Sequence, residues 1–153
     1  MIGHGLYFDD CKVGSVYRTL ARTISETDIV NFVNLGGFTE PLFMDMEYVK
    51  KESVFGRRAA PGAMTFAFSE GLVMQTGLIH GVGMAWLGGD VKVTAPVLEG
   101  DTIRVEVEIA GTRETKKSDR GIVTYKHRVL NQRDEVVMEL TLQRMIKRKP
   151  ANG

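Results

Sequence analysis

The sequence predicts an α+β fold, an antiparallel sheet curled around one long apolar helix with a helical segment laid over it. Three observations carry the expectation. Residues 62–76 are apolar around most of a helical circumference, which calls for a helix enclosed by other elements. Four segments between about 85 and 146 alternate apolar and polar residues with the period of a strand. Ahead of them, residues 25–52 carry helix start and stop signals.

In chain order, residues 16–23 read as a first strand, followed by "SETDIVNFVNLGG". There Ser25 is placed to cap a helix and acidic residues occupy its first turn. Ile29, Phe32, Val33 and Leu35 fall at helical spacing, and Gly36 and Gly37 stop it. A turn at Glu40-Pro41 and the short amphipathic "MDMEYVKKE" complete the overlying segment. Pro61-Gly62 opens the central helix, because a proline in the first turn sacrifices no hydrogen bond. Met64, Phe66, Ala67, Phe68, Leu72, Val73 and Met74 give the helix its apolar surface.

In the first strand after it, Ala85, Leu87, Val91, Val93, Ala95 and Val97 alternate with Trp86, Asp90, Lys92 and Thr94. In the second, Ile103, Val105, Val107 and Ile109 alternate with Thr102, Arg104, Glu106 and Glu108. Residues 121–130 and 135–146 form two more, separated by the turn "NQRD". Each strand is expected to have one apolar and one polar face, and consecutive strands joined by short turns pair antiparallel.

A chain of 153 residues, 43% hydrophobic, suits one domain spanning 1–153 with its core at about 15–146. Lys and Arg total 20 against 19 Asp and Glu, a formal charge of +1, so neither nucleic acid nor an anionic membrane is an expected partner. The C-terminal "KRKP" is too short to change this. Cys11 stands alone, which rules out an internal disulfide and reads as a reduced spectator thiol. No Cys/His cluster has zinc-ligand spacing, and neither a metal nor a cofactor is expected. Without a signal-peptide pattern or an apolar run of about 20 residues, the expected location is the cytoplasm.

Three stretches, "NFVNLGGFTEPLFMD", "FGRRAAPGAMTFAFSEGL" and "GVGMAWLGGDVKVTAPVLEGDTI", resemble in order and spacing the MaoC-like (R)-specific enoyl-CoA hydratases and dehydratases. The resemblance covers residues 15–146 and implies the hotdog fold, an acyl- or enoyl-thioester substrate carried by coenzyme A or an acyl carrier, and a homodimer or higher homo-oligomer. In that family an Asp, and a His five residues later, activate water and deliver the proton. Here those places hold Phe38 and Phe43, with Glu40 at the family's Asn. Phenylalanine transfers no proton, and each positioned acid or base is worth about 10²–10⁴-fold in rate. The family's His-Gly at the start of the central helix is Pro61-Gly62 here. That leaves the amides of Gly62 and Ala63 to polarise a thioester carbonyl as an oxyanion hole.

Replacement chemistry points to two carboxylates. Glu40 lies between the two vacated positions, although a Glu before Pro is also an ordinary surface residue. Glu70 has Phe66, Ala67, Val73 and Met74 at helical spacing, a patch that raises its pKa unless a cation pairs with it. It also lies nine residues after Pro61, the spacing at which one branch of hotdog thioesterases carries its catalytic Glu. A salt-bridged position is the alternative for Glu70. His127 is expected to project inward as a hydrogen-bonded core residue, and His80 to lie in a loop. Phe38, Phe43, Met64 and Phe66 are the candidate lining of an acyl pocket, with core packing as the alternative for the methionines. Arg57 and Arg58 are candidates for the phosphates of coenzyme A.

Three functions fit these residues. The first is a hydratase or dehydratase of MaoC type with non-standard catalytic residues. The second is a thioesterase using Glu70 and Gly62, and the third a non-catalytic acyl-thioester binder or subunit.

Overall fold

The computed structural model describes residues 3–151. Two short strands, β1 (Val16–Arg18) and β2 (Arg22–Thr23), lead into helices α1 (Glu26–Gly36), α2 (Pro41–Met44) and α3 (Met46–Glu52). The central helix α4 (Gly62–Gln75) follows, and then β3 (Gly83–Val93), β4 (Thr102–Glu114), β5 (Arg120–Leu130) and β6 (Val136–Lys147). The α+β expectation holds, with six strands in one sheet and every pairing antiparallel.

Local signals set the helices. Ser25 Oγ accepts from Asp28 N–H at 3.0 Å while the Asp28 carboxylate accepts from Ser25 N–H at 2.9 Å, a complete capping box. Gly37 ends α1 in the left-handed region at φ 68°, which a β-carbon would disfavour. Asp45 caps α3 by accepting from the amides of Glu47 and Tyr48.

The predicted first strand is two, both paired with β4. Thr19 breaks it: its hydroxyl takes the Val105 amide at 2.9 Å, replacing a backbone partner, and Leu20 is left exposed. The later strands also differ from the sequence expectation. Sheet order is β1-β4-β5-β6-β3, so only β4, β5 and β6 form a meander, and β3 lies at the far edge beside β6. Residues 94–101 therefore cross from one side of the sheet to the other. Eight residues reach about 26–29 Å, ample for three strand spacings of about 4.8 Å each. Ala95 and Val97 belong to this crossing rather than to a strand.

The core lies between the sheet and α4. Ile103, Val105, Val107 and Ile109 of β4, Val123, Tyr125 and Val129 of β5, and Met138, Leu140, Leu142 and Ile146 of β6 are buried on one face. Met64, Leu72 and Val73 of α4 meet them, and Ile29 and Val33 of α1 join the cluster. Full burial of each such side chain contributes about 1.5–3 kcal/mol.

Enclosure of α4 is partial, against expectation: Ala63, Ala67, Gly71 and Met74 face outward. On β3, Met84, Trp86, Leu87, Val91 and Val93 are exposed, so among the described residues that strand has no covered apolar face. Among the described residues, no helix is long and apolar enough to cross a membrane. Burial pushes the Cys11 thiol up to about 11, with Asp10 and Asp9 adding to the effect, so it stays protonated at neutral pH.

Ahead of β1, Phe8 packs flat on Gly121 of β5, where an added methyl would stand 2.2 Å from Phe8 Cδ2. Gly121→Ala is expected to cost about 1–3 kcal/mol in denaturant unfolding by overpacking this contact. Unchanged stability would contradict the placement of Phe8.

Candidate functional site

At the start of α4, Pro61 is the N-cap, and its carbonyl accepts from the amides of both Met64 (2.9 Å) and Thr65 (3.1 Å). The amides of Gly62 and Ala63 precede any intrahelical partner and, among the described residues, remain free donors at the positive end of the helix dipole. Both residues are exposed.

Gly62 lies on the wall of an open cavity of about 340 Å³. Leu42, Phe43 and Phe55 line one side, Val93 to Val97 another, and Thr65 and Val137 part of the remainder. Val93 borders the helix, its Cγ2 standing 3.4 Å from where a β-carbon on Gly62 would be, an ordinary van der Waals distance. The wall is almost wholly apolar, as suits a hydrocarbon chain or ring.

The candidate acyl-pocket residues are divided by the structure. Phe43 lines the cavity, and Phe38 stands behind it with ring centroids 6.3 Å apart, edge to face. Met64 is fully buried in the core. Phe66 packs on Trp86 of β3, with centroids 6.1 Å apart, on another side of the helix. The periodicity of α4 marks both as apolar without saying which neighbour each meets.

Arg57 and Arg58 are divided as well. Arg58 is 8% exposed and committed: it donates to Glu26 Oε1 at 3.1 Å and to the Phe43 carbonyl at 3.2 Å, with Glu99 at 3.9 Å. It thus fixes the backbone of the 38–45 segment against α1. Arg57 is exposed and donates to the Glu99 carbonyl at 2.6 Å, so its remaining N–H groups face solvent.

Glu40 is the N-cap of α2, exposed, with no hydrogen bond or ion pair from its side chain among the described residues. It stands two residues before Leu42 and three before Phe43 of the cavity wall. Glu70 lies elsewhere, two turns below Gly62 and about 12 Å along the helix axis. Its carboxylate is bonded to the Arg144 guanidinium of β6, and its other oxygen stands 3.4 Å from His127 Nδ1 of β5. Burial pushes the Glu70 carboxyl up, but His127 and Arg144 together outweigh that and hold it below its ordinary value. Glu70 is desolvated although Ala67 and Met74 of the predicted patch face outward, and the cation that compensates for its burial is Arg144. His127 projects inward as expected, but neither ring nitrogen makes a hydrogen bond of normal geometry among the described residues. His80 is exposed in the loop after α4.

Three contributors to the site escaped the sequence reading: Thr65, the 93–97 wall and the clamp by Arg58. A polar residue three places after Gly62 in an otherwise apolar run was the available signal for Thr65. The other two depend on long-range pairing, including the amide of Ala60 bonded to the Val97 carbonyl at 2.8 Å.

Comparison with solved structures identifies the architecture first. A Mycobacterium tuberculosis protein described as having a double hotdog fold superposes with a TM-score of 0.85 over 96% of this chain and 46% of its own, at 19% identity. The monoamine oxidase regulatory protein from Archaeoglobus fulgius superposes with a TM-score of 0.89, at 33% identity over 98% of this chain and 99% of that one. The fold is the hotdog fold.

Residues 10–131 match the MaoC like domain, and the chain belongs to that family. Among relatives, the (R)-specific enoyl-CoA hydratase of Rhodospirillum rubrum is 36% identical over 111 residues, 72% of this chain and 74% of its own length. The 3-hydroxybutyryl-CoA dehydratase of Methylorubrum extorquens is 33% identical over 69% of this chain and 64% of its own. The chain spans only 33% of Protein MaoC from Klebsiella aerogenes, to which it is 33% identical.

Because Arg144 compensates a buried carboxylate, Arg144→Met is expected to cost roughly 3–5 kcal/mol, and Arg144→Met combined with Glu70→Gln considerably less. The depressed pKa of Glu70 adds stability that is fully present above the ordinary 4.5 and is lost as pH falls through the lowered folded value. Urea midpoints measured from neutral pH downward should therefore fall less steeply for Glu70→Gln than for the parent. Parallel curves would contradict the pairing.

Proposed function

We propose that the chain binds an acyl- or enoyl-CoA thioester, or the acyl-carrier equivalent, and adds or removes water across its C2–C3 bond. The observation that carries this reading is an apolar cavity opening onto the free amides at the start of α4. A thioester carbonyl placed on Gly62 and Ala63 is polarised by the two N–H groups and the helix dipole, which acidifies C2. The cavity holds the acyl group, and Arg57 offers its solvent-facing N–H groups to the phosphates. The hydratase and dehydratase names of the relatives agree with this class of reaction.

Proton transfer falls to Glu40, which is free and exposed on the segment that forms the cavity wall, whereas Glu70 is held by Arg144. In dehydration the Glu40 carboxylate takes the C2 proton and passes it to the departing C3 hydroxyl. Water then leaves, the double bond forms, and the carboxylate is regenerated. A second reading, binding without turnover, is favoured by the edge-to-face contact of Phe38 and Phe43. It places two aromatic rings where the family has its acid and base.

Glu40→Gln is expected to lower hydration of crotonyl-CoA about 10²-fold or more while thioester binding is kept. An unchanged rate would remove Glu40 from the mechanism. Binding without turnover in the parent protein would establish the second reading, and release of free CoA would point to a thioesterase.

The acting unit in this proposal is a homodimer or larger homo-oligomer. The exposed Met84, Trp86, Leu87, Val91 and Val93 of edge strand β3 adjoin the cavity through Val93, and Met74 of α4 lines the same opening as Met84 and Trp86. A second copy would cover this surface. Light scattering should give a mass of at least twice 17.0 kDa, and Trp86→Glu should lower it. A monomeric parent protein would exclude this arrangement.

A further inference from the structure

Thr65 and Thr94 are the residues with polar side chains on the cavity wall. The Thr94 hydroxyl is occupied, donating to the Val136 carbonyl at 2.6 Å. The Thr65 hydroxyl is not. It makes no hydrogen bond among the described residues, and it is not sealed in the core as the nitrogens of His127 are. Thr65 is 5% exposed and lines the cavity, so its unpaired hydroxyl is the polar group that it can offer there.

Its position relative to the free amides is fixed by helix geometry. Thr65 follows Gly62 by three residues, so the two share a face, and Thr65 lies about 4.5 Å deeper along the axis. In an acyl thioester, an oxygen on C3 is three bonds from the carbonyl carbon, roughly 4 Å away at bond lengths near 1.5 Å. A ligand with its carbonyl on Gly62 and Ala63 and its chain running into the cavity brings C3 to the level of Thr65.

We propose that Thr65 is a specificity-determining residue whose hydroxyl hydrogen-bonds an oxygen on C3 of the acyl group, favouring 3-oxygenated acyl thioesters over saturated ones. This rests on the reading of the cavity as a thioester site. A threonine hydroxyl both donates and accepts, so it matches a 3-hydroxyl or a 3-oxo group. A saturated chain leaves it unpaired against an apolar wall, which is where a polar site gains its discrimination. The value of one neutral hydrogen bond sets the preference at about fivefold.

The test uses acetoacetyl-CoA, which carries oxygen on C3 and has no hydroxyl to eliminate, beside butyryl-CoA. Dissociation constants for both are measured by titration calorimetry with the parent protein, Thr65→Val, Thr65→Ala and Thr65→Ser, and thermal melts verify that each variant is folded. The parent and Thr65→Ser should prefer acetoacetyl-CoA about fivefold. Thr65→Val and Thr65→Ala should bind the two equally, with butyryl-CoA affinity of Thr65→Val no weaker than that of the parent. Retention of the preference in either variant lacking the hydroxyl, with both thioesters still bound, overturns the role of Thr65 and leaves the thioester site standing. Failure of the parent protein to bind either thioester overturns the site itself, and Thr65 with it.

Discussion

The bond between Glu70 of α4 and Arg144 of β6 is the contact on which the placement of the central helix depends. An unpaired carboxylate here would carry a desolvation cost of several kcal/mol, so the helix can settle only where the guanidinium meets it. Apolar packing of Met64, Leu72 and Val73 supplies attraction but little direction, because many rotations of an apolar helix bury similar area. The ion pair selects one rotation. That rotation points Gly62 and Thr65 toward the crossing segment 94–97 and so creates the cavity.

A second restraint works from the other side. Arg58 ties the Phe43 carbonyl to Glu26, and Asp45 caps α3, so the backbone around residues 38–45 is held by groups other than the side chains at 38 and 43. The frame of this segment thus persists independently of those two side chains. The first amides of α4 are likewise independent of which side chains surround them.

Periodicity in the sequence was enough for the α+β class, the central helix and the meander of β4, β5 and β6, because alternation reports directly which face of a strand is apolar. It was silent on what covers that face. β3 reads like its neighbours, yet it lies at the edge beside β6 with its apolar residues exposed, and sheet order is a long-range property. The split at Thr19 was hidden for a related reason, a side chain replacing a backbone partner from β4. At the site, Gly62 and Phe43 line one cavity, while Met64 and Phe66 go to other surfaces of the helix. For Glu70 the local sequence posed the right question, a carboxylate needing a cation, but the answer was 74 residues away.

In the proposed function, α4 presents its first amides to a thioester carbonyl. A crystal structure with butyryl-CoA bound tests it most directly. The carbonyl oxygen is expected about 3 Å from the amides of Gly62 and Ala63, with the acyl chain running past Thr65 between Phe43 and Val97. An acyl group lodged instead against Glu70, or in the opening between Met74 and Trp86, would contradict it.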